Sequence, residues 1–314
     1  MGRVVNCPST MKILFGYIVH TVLVLISMEP NQVEARVEPT YPPHYEVKAL
    51  REIAAELGKK DWNFSKNPCN NKSIWFTPPP PPNVPQAINN STVTCNCSFP
   101  NGECHIDGIY LSGQDLDGVF PRSLVKLPFI RTLELYLNYL KGSIPHEWAA
   151  LKLETVSVAM NRLSGSIPGS LGNITTLKYL SLENNMFSGT IPPDTLNANY
   201  LTGKFPSSLA NLSNLKELRI SSNNFVGKIP KIFQSWKQLE KLEIQGSGLE
   251  GPIPPSLTLL HNLVELRISD LPGEGSKFPN LKNMKNMYRL ILRSCNITGP
   301  IPDYIWEYSQ PQIL

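Results

Sequence analysis

The sequence predicts an α/β repeat solenoid, a stack of short coils in which each coil gives one strand to a shared parallel sheet. A signature of Leu, Phe or Ile, then x-Gly-x, then Ile or Phe before Pro recurs nine times, and one copy is degenerate. The closing prolines are separated by 24, 23, 24, 14, 24, 24, 25 and 23 residues. A nearly constant period of this length is typical of repeat architectures. The nine prolines are Pro121, Pro145, Pro168, Pro192, Pro206, Pro230, Pro254, Pro279 and Pro302.

Each coil has a structure that its residue types specify. Leu-x-Leu before the signature predicts a short strand with one face in the core. The Asn that follows, as in Leu180, Leu182 and Asn185, falls at the turn leaving the strand, where its amide can bond open backbone groups. Gly permits the tight approach after the turn, and Pro fixes the return segment. One coil cannot bury its own leucines, so only stacking closes the core.

Composition supports this fold class and argues against several others. The chain has 314 residues and 29 prolines, and doubly wound sheets exclude proline from their central strands and helices. The net charge of +4 is too small to indicate nucleic acid or an anionic membrane surface as a partner. Six cysteines without a dense His/Cys cluster argue against a metal site, and no cofactor is expected.

The amino terminus has the features of a secretory signal peptide, which we place at 1–35. Arg3 and Lys12 precede an apolar run of about 15 residues, shorter than the ~20 needed to span a membrane, and Val33-Glu34-Ala35 suits signal peptidase. Secretion implies an oxidising compartment. Eight glycosylation sequons agree with it, at Asn63, Asn71, Asn89, Asn90, Asn96, Asn173, Asn211 and Asn296.

An N-terminal cap is expected over 36–105. Glu46 to Gly58 predicts a helix with one apolar face, formed by Val47, Leu50, Ile53, Ala54 and Leu57, and Gly58 is its expected C-terminal stop. The four cysteines of the cap should form two disulfides, for which three pairings exist. Cys95 with Cys97 would close a very small ring, so each should pair outward, with Cys69 or Cys104. The spacing does not decide which of them takes Cys69.

The repeat resembles the plant-specific leucine-rich repeat, LxxLxxLxLxxNxLxGxIPxxLxx, over 106–314. The resemblance implies a right-handed superhelix of about nine repeats, with short parallel strands on the concave face. The segments DWNF, IQGSGLEGPIP, LRISDL and LILRSCNITG are in addition similar to one subfamily of plant leucine-rich-repeat receptor-like serine/threonine kinases. In that subfamily a malectin-like domain, a membrane helix and a cytoplasmic kinase follow the repeats.

Two features depart from this family pattern. The chain has no HRD, DFG or VAIK-like motif, so we expect a non-enzymatic ectodomain fragment, truncated before the malectin-like, membrane and kinase parts. The repeat near 192–206 is also short. Fourteen residues between Pro192 and Pro206 cannot trace a full coil, which predicts a kink, a bulge or a skipped strand there.

Several motifs of other chemistries fall on repeat or cap positions. Gly246–Gly251 matches GxGxxG, but its residues occupy the Asn, Leu and Gly positions of the repeat. His146-Glu147 begins an HExxH motif that Ala150 breaks, so no zinc site follows. The prolines 78–82 are interpreted as an extended crossing in the cap rather than a polyproline ligand. Cys295 occupies the Asn position of its repeat, where a structural thiol is expected.

Functional residues are expected on the concave face, at the strand positions between the leucines. The early coils are aromatic and mildly acidic there, and the later coils mix charges before turning basic. The alternative is a solvated face with ion pairs between coils, such as Glu217 beside Lys241. We expect Arg267→Glu and Arg293→Glu to weaken binding of an acidic ligand with little loss of stability. The candidates are Tyr110, Glu134, Tyr136, Ser157, Tyr179, Glu183, Glu217, Arg219, Lys241, Glu243, Glu265, Arg267, Arg289 and Arg293.

Two functions remain from the sequence. The first is a receptor ectodomain in the secretory pathway, exposed at the plasma membrane or in the apoplast, that binds a peptide, glycan or co-receptor. The second is a secreted inhibitor of wall-degrading enzymes, similar to the polygalacturonase-inhibiting proteins. The DWNF segment and the LRISDL segment resemble the receptor subfamily, and they favour the first function.

Overall fold

Successive coils join their strands into one ten-stranded sheet. The computed structural model describes residues 40–70, 75–77, 90–188, 207–308 and 312–313, so the expected signal peptide at 1–35 and the prolines 78–82 lie outside the described residues. Within these residues one helix, α1 (His44–Leu57), precedes the strands. The strands are β1 (Asn90–Asn96), β2 (His105–Ser112), β3 (Thr132–Glu134), β4 (Lys141–Gly142), β5 (Thr155–Ser157), β6 (Arg162–Gly165), β7 (Tyr179–Ser181), β8 (Met186–Phe187), β9 (Glu217–Arg219), β10 (Lys241–Gln245), β11 (Glu265–Ser269), β12 (Ser276–Lys277), β13 (Arg289–Arg293), β14 (Ile297–Thr298) and β15 (Gln312–Ile313).

The large sheet follows the order β1-β2-β3-β5-β7-β9-β10-β11-β13-β15, parallel throughout except for the antiparallel pair β1–β2. Two short sheets, β4-β6-β8 and β12-β14, lie beside it. In register, Leu133, Val156, Leu180 and Leu218 stand opposite one another, and all four side chains are buried. Stacking therefore builds the continuous leucine core of a leucine-rich-repeat solenoid, as the sequence predicts.

The return side of the coils carries short 3₁₀ helices, each preceded by the signature proline where that proline is described. Two of them carry or adjoin a fully buried tryptophan that reaches the previous coil. Trp148 Nε1 donates to the Pro121 carbonyl at 3.0 Å, and Trp236 Nε1 donates to the Leu209 carbonyl at 2.9 Å. The helices are Arg122–Lys126, His146–Ala150, Gly169–Asn173, Ser207–Asn211, Lys231–Ser235, Pro255–Leu259 and Asp303–Glu307.

A ladder of buried asparagines fixes the turn that leaves each strand. Asn161 Nδ2 donates to the carbonyls of Leu135, Val158 and Ala159 at 2.9–3.1 Å, and its Oδ1 accepts from the Leu140 amide at 3.0 Å. One side chain thus satisfies four backbone groups of two coils, as the position of Asn in the repeat predicts. The equivalent asparagines are Asn138, Asn185 and Asn223.

The short repeat is accommodated by skipping a strand. Strand β7 pairs directly with β9, Tyr179 opposite Glu217, so no strand of the sheet lies between them. The ladder bond from the Leu163 amide to Asn185 joins residues 22 apart, whereas the bond from the Phe187 amide to Asn223 joins residues 36 apart. The second bond therefore encloses 14 more residues of the sequence than the first. The signature that ends at Pro206 falls in 189–206, outside the described residues.

The cap helix docks against the first repeat. Helix α1 begins at His44 rather than Glu46, and Gly58, in the left-handed conformation (φ 78°), ends it. The amides of Gly118 and Val119 donate to the carbonyls of Leu57 and Glu56 at 3.2 and 2.8 Å. A Cβ on Gly118 would lie 2.1 Å from the Glu56 carbonyl oxygen, so the signature glycine of this repeat is needed for the approach.

A buried contact between a carboxylate and an imidazole in the cap is not signalled by the sequence. Glu46 is fully buried and Val47 only partly so, contrary to the predicted helix face. The Glu46 carboxylate lies 2.6 Å from His105 Nδ1 and accepts from the Ile106 amide at 2.8 Å. These bonds satisfy the carboxylate and tie the helix to the first strand of the repeats.

Two disulfides close the cap, as Cys69–Cys95 and Cys97–Cys104, so both Cys95 and Cys97 pair outward. Five asparagines of the expected sequons are exposed and Asn90 is partly buried, while two lie outside the described residues. Glycosylation stays a prediction. The exposed asparagines are Asn63, Asn96, Asn173, Asn211 and Asn296, and those outside are Asn71 and Asn89.

Reduction of the disulfides should loosen the cap before the repeats. Each bridge restricts the unfolded chain, and losing one costs about 2–4 kcal/mol. We expect hydrogen exchange of the β1 amides to accelerate after reduction, while the amides of β11, distant from both bridges in sequence, keep their protection. Mass spectrometry before and after reduction measures both. Unchanged protection of β1 would contradict the expectation.

Candidate functional site: the concave face

The concave face is formed by the strand residues that alternate with the buried leucines. In β3, Leu133 is buried, and Thr132 and Glu134 lie on the opposite side. Register pairing continues this alternation from coil to coil. All the predicted candidates lie on this face: Tyr110, Glu134, Tyr136, Ser157, Tyr179, Glu183, Glu217, Arg219, Lys241, Glu243, Glu265, Arg267, Arg289 and Arg293. Their role in binding stays a prediction.

The later coils hold their concave charges in an ion-pair lattice. Arg219 Nε lies 2.6 Å from Glu217 Oε1 and 3.5 Å from Glu243 Oε1, and Arg219 Nη1 lies 3.7 Å from Glu183 Oε1. Lys241 Nζ lies 3.5 Å from Glu217 Oε2, which is the pair that the sequence suggested. The ion-pair lattice therefore joins the coil of β7 to the coil of β9, where the sheet skips a strand.

Two more arginines extend the ion-pair lattice toward the C-terminal coils. Arg267 pairs with Glu265, and its Nη1 lies 3.7 Å from Glu243 Oε2. Arg289 Nη1 lies 3.1 Å from Glu265 Oε1, and Tyr288 Oη donates to Glu265 Oε2 at 2.6 Å. Four carboxylates thus meet four cations across the lattice, so the later concave charges largely neutralise one another.

Two lattice carboxylates are almost fully buried, Glu243 at 4% and Glu265 at 2% exposure. Burial raises the pKa of Glu243, and the charges of Arg219 and Arg267 offset part of that rise. Burial acts in the same direction on Glu265, but hydrogen bonds from Tyr288 and Arg267, with the Arg267 charge, outweigh it and hold its pKa below the usual value. Glu265 is therefore a carboxylate that the fold stabilises in its ionised form.

The pKa of Glu265 predicts a pH-dependent contribution to stability. A carboxylate with a lowered folded-state pKa stabilises the fold above its unfolded pKa, and this contribution is lost as the pH falls through the folded value. We expect Glu265→Gln to lower the free energy of unfolding by about 3–5 kcal/mol near neutral pH. The difference from wild type should shrink as the solution is acidified below the usual glutamate pKa.

Denaturant titrations across this acidic range measure the difference. Glu274→Gln is the matched control, because the pKa of Glu274 is also lowered, by Lys228, but the pair is exposed and screened by solvent. A Glu265→Gln difference that stays constant with pH would contradict the assignment.

The early coils leave an open hollow of about 720 Å³ on the concave face. We call it the early hollow. Tyr136 and Tyr179 line it, together with the exposed apolar side chains of Leu137 and Met160. It therefore offers aromatic and aliphatic surface to a ligand, and the first residues of the ion-pair lattice border it on one side. The remaining lining residues are Glu134, Thr155, Val156, Ser157, Ala159, Leu180, Ser181, Glu183, Glu217 and Arg219.

Sequence reasoning missed Leu137 and Met160. Both have left-handed backbones, with φ of 56° and 54°, and each directly precedes a ladder asparagine. At this position other coils carry Asn184 or Ser222, residue types that suit a turn. A large apolar residue directly before the ladder asparagine is the signal that would have identified them.

The GxGxxG match at 246–251 and the thiol of Cys295 both lie at repeat positions in the structure. Gly246 and Gly248 take left-handed conformations in the turn after β10, and Ser247 between them is buried at the ladder position. Cys295 is also buried at the ladder position, with Sγ 3.1 Å from the Arg293 carbonyl oxygen and 3.4 Å from that of Ile268. Burial raises the pKa of the Cys295 thiol to about 11, so the unreactive thiol form prevails near neutral pH.

Metal-binding clusters and membrane-spanning helices are both absent from the described ranges. Within them, no group of His, Cys, Asp and Glu side chains is arranged to hold a metal ion. None of the helices described there is long and apolar enough to cross a membrane.

Comparison with known proteins supports the repeat assignment. The Leucine Rich Repeat family model matches residues 152–174, 176–198 and 214–236. Two relatives, both probable leucine-rich-repeat receptor-like serine/threonine-protein kinases of Arabidopsis thaliana, are 44% and 45% identical over 135 and 144 residues. These matches cover 42% and 45% of this chain and 13% of each relative, so the chain spans a small part of their length.

A solved structure shares the fold over most of the chain. The Arabidopsis receptor kinase HAESA, in complex with the peptide hormone IDA and the co-receptor SERK1, matches with a TM-score of 0.59 and 26% identity. The match covers 86% of this chain and 46% of the HAESA chain. This chain is thus a leucine-rich-repeat solenoid, similar over part of its length to receptor-like kinases of Arabidopsis.

Proposed function

We propose that this chain is the extracellular ligand-binding region of a plant receptor-like kinase, and that it binds a peptide in the early hollow. One observation carries the proposal. The later concave charges are engaged with one another, whereas the early coils expose tyrosine and apolar side chains around an open hollow. Tyrosine is enriched in binding hot spots, because it buries a large rigid surface and keeps a polar tip.

The HAESA likeness supports a peptide as the ligand class. HAESA was solved with a peptide hormone and a co-receptor, and its fold matches most of this chain. A co-receptor is accordingly the second partner that we propose. A cell-wall glycan is the alternative ligand, and the experiment below distinguishes it.

The cellular location of the chain and the domains that would accompany it belong to the same proposal. A signal peptide at 1–35 would direct the chain into the secretory pathway, toward the outer face of the plasma membrane or the apoplast. The whole protein would continue into a malectin-like domain, a membrane helix and a serine/threonine kinase that transmits the signal. Both Arabidopsis relatives are receptor-like kinases, which favours this proposal over a secreted inhibitor of wall-degrading enzymes.

Ligand selection tests the proposal. The full chain, secreted from plant cells, is presented in parallel to a phage library of random linear peptides and to an array of cell-wall oligosaccharides. We expect enrichment of peptides, and we expect Tyr136→Ala combined with Tyr179→Ala to lower their affinity by about tenfold or more. Tyr41→Ala is the matched control, since Tyr41 is an exposed tyrosine of the cap.

If the peptides bind the double variant as tightly as the wild-type chain, the early hollow is not their binding site. Binding of oligosaccharides, with no binding of peptides, would show that the ligand is a glycan and not a peptide. Absence of enrichment in both selections would contradict the ligand-binding proposal itself.

A further inference from the structure

Glu134 differs from the other glutamates of the concave face. Glu183, Glu217, Glu243 and Glu265 each take part in the ion-pair lattice. Glu134 lines the early hollow, and within the ranges that the structure describes neither an ion pair nor a hydrogen bond engages its carboxylate. Burial raises the pKa of this carboxylate, which shows that its surroundings do not compensate the charge. A cation from outside the chain would provide that compensation.

The neighbours of Glu134 suit an organic cation rather than a small ion. Tyr110 stands beside it on β2 and Ser157 beside it on β5, and Tyr136 follows two residues later on its own coil. Tyr179 lies two strands away and two residues out of register, in line with Thr132, which places its Cα about 12 Å from that of Glu134 at the usual strand spacing and rise. An ammonium or guanidinium head on a flexible stem can reach Glu134 while its stem packs on the tyrosine rings.

Two exposed apolar side chains, Leu137 and Met160, form the rim of the early hollow and favour an apolar residue in the ligand. Leu137 and Met160 are exposed at 37% and 47%, on adjacent coils, and both occupy a left-handed backbone position that disfavours large side chains. Exposed apolar groups held at an unfavourable backbone position point to a use at the surface. Residues flanking the cation in a bound peptide would cover them.

We propose that Glu134 anchors a lysine or arginine side chain of the bound peptide, next to an apolar residue that packs on Leu137 and Met160. This inference rests on the proposed function and specifies the ligand class of the early hollow. The Glu134 carboxylate would pair with the charge of the basic side chain, and the tyrosine rings would pack against its aliphatic stem. The exposed side chains of Leu137 and Met160 would favour an apolar residue next to it in the peptide. An acidic side chain at the same place would face Glu134 without a counter-charge and is disfavoured.

The test uses the peptides enriched on the wild-type chain. We expect their sequences to share Lys or Arg beside Leu, Ile, Met or Phe, with acidic residues depleted at that position. Synthetic copies of the most enriched peptide are then made with Lys or Arg, Gln, and Glu at the basic position. We expect Gln to weaken binding to the wild-type chain by about tenfold, and Glu by more.

Glu134→Gln supplies the protein side of the test, because it keeps the shape of the side chain and removes its charge. We expect it to weaken the basic peptide about tenfold and to leave the Gln peptide nearly unchanged. Glu307→Gln, the same change at an exposed glutamate of the last 3₁₀ helix, should affect neither peptide. Thermal unfolding of both variants checks that the fold is intact.

Three outcomes separate this inference from the proposed function. Basic peptides that lose affinity on Glu134→Gln support it. Peptides that depend on Tyr136 and Tyr179 but show no basic preference, or that bind Glu134→Gln as well as wild type, overturn it and leave the proposed function standing. Absence of any peptide enrichment overturns both.

Discussion

Asn223→Ala should lower the free energy of unfolding by about 3–5 kcal/mol, since each buried backbone group left without a partner costs about 1–3 kcal/mol and relaxation recovers part of the sum. The Asn223 amide donates to the carbonyls of Leu182, Ile220 and Ser221 at 3.0, 3.2 and 3.0 Å. Its Oδ1 accepts from the Phe187 amide at 3.1 Å. Alanine removes all four bonds, including the one that joins Asn223 to Phe187, 36 residues earlier.

Denaturant unfolding measures this loss, and the chain offers two controls. Asn224→Ala changes the adjacent, exposed asparagine and should cost little. Ser247→Ala changes a ladder position whose side chain accepts from the Leu249 amide at 3.3 Å, so we expect a smaller loss than for Asn223→Ala. Equal stability of Asn223→Ala and Asn224→Ala would show that the ladder does not hold the coils together.

Arg267→Glu should destabilise the chain by about 3–5 kcal/mol, the usual effect of breaking a buried ion pair from one side. The sequence suggested that this change would weaken binding of an acidic ligand with little loss of stability, an expectation made without knowledge of the ion-pair partners of Arg267. Arg267 pairs with Glu243 and Glu265, both almost fully buried. The substitution replaces their shared cation with a third carboxylate.

Arg293→Glu is the control for Arg267→Glu. The Arg293 side chain is 73% exposed, and its Nη2 lies 3.4 Å from the half-exposed carboxylate of Asp270. A charge reversal there should change stability by less than about 0.5 kcal/mol, as at most surface sites. Denaturation midpoints of the two variants at neutral pH give the comparison. Similar, small losses in both would contradict a buried ion-pair lattice.

Most of the fold could be predicted from the repeat period of the sequence. Alternation at Leu180 and Leu182 gives the buried face, and the spacing of Asn185 from them gives the ladder, because both depend on local geometry. The same alternation placed every candidate on the concave face. A glycine directly after a helical apolar pattern likewise identified Gly58 as the residue that ends the cap helix.

The partners of the buried carboxylates could not be predicted in the same way. Glu46 meets His105 across a separation of 59 residues, and Glu243 acquires two arginines from neighbouring coils. Such partners depend on side-chain conformations and on the stacking of the coils, and a periodic sequence pattern specifies neither. For the same reason the sequence did not separate Glu134, which lacks such a partner in the described coils, from the paired glutamates.

Hydrogen exchange of the chain with its most enriched peptide tests the central claim, that the early coils and not the later ones form the ligand-binding face. We predict that the peptide slows exchange of amides in β3, β5 and β7 and leaves β11 and β13 unchanged. Protection confined to β11 and β13 would contradict the claim. It would place the ligand on the ion-pair lattice instead of in the early hollow.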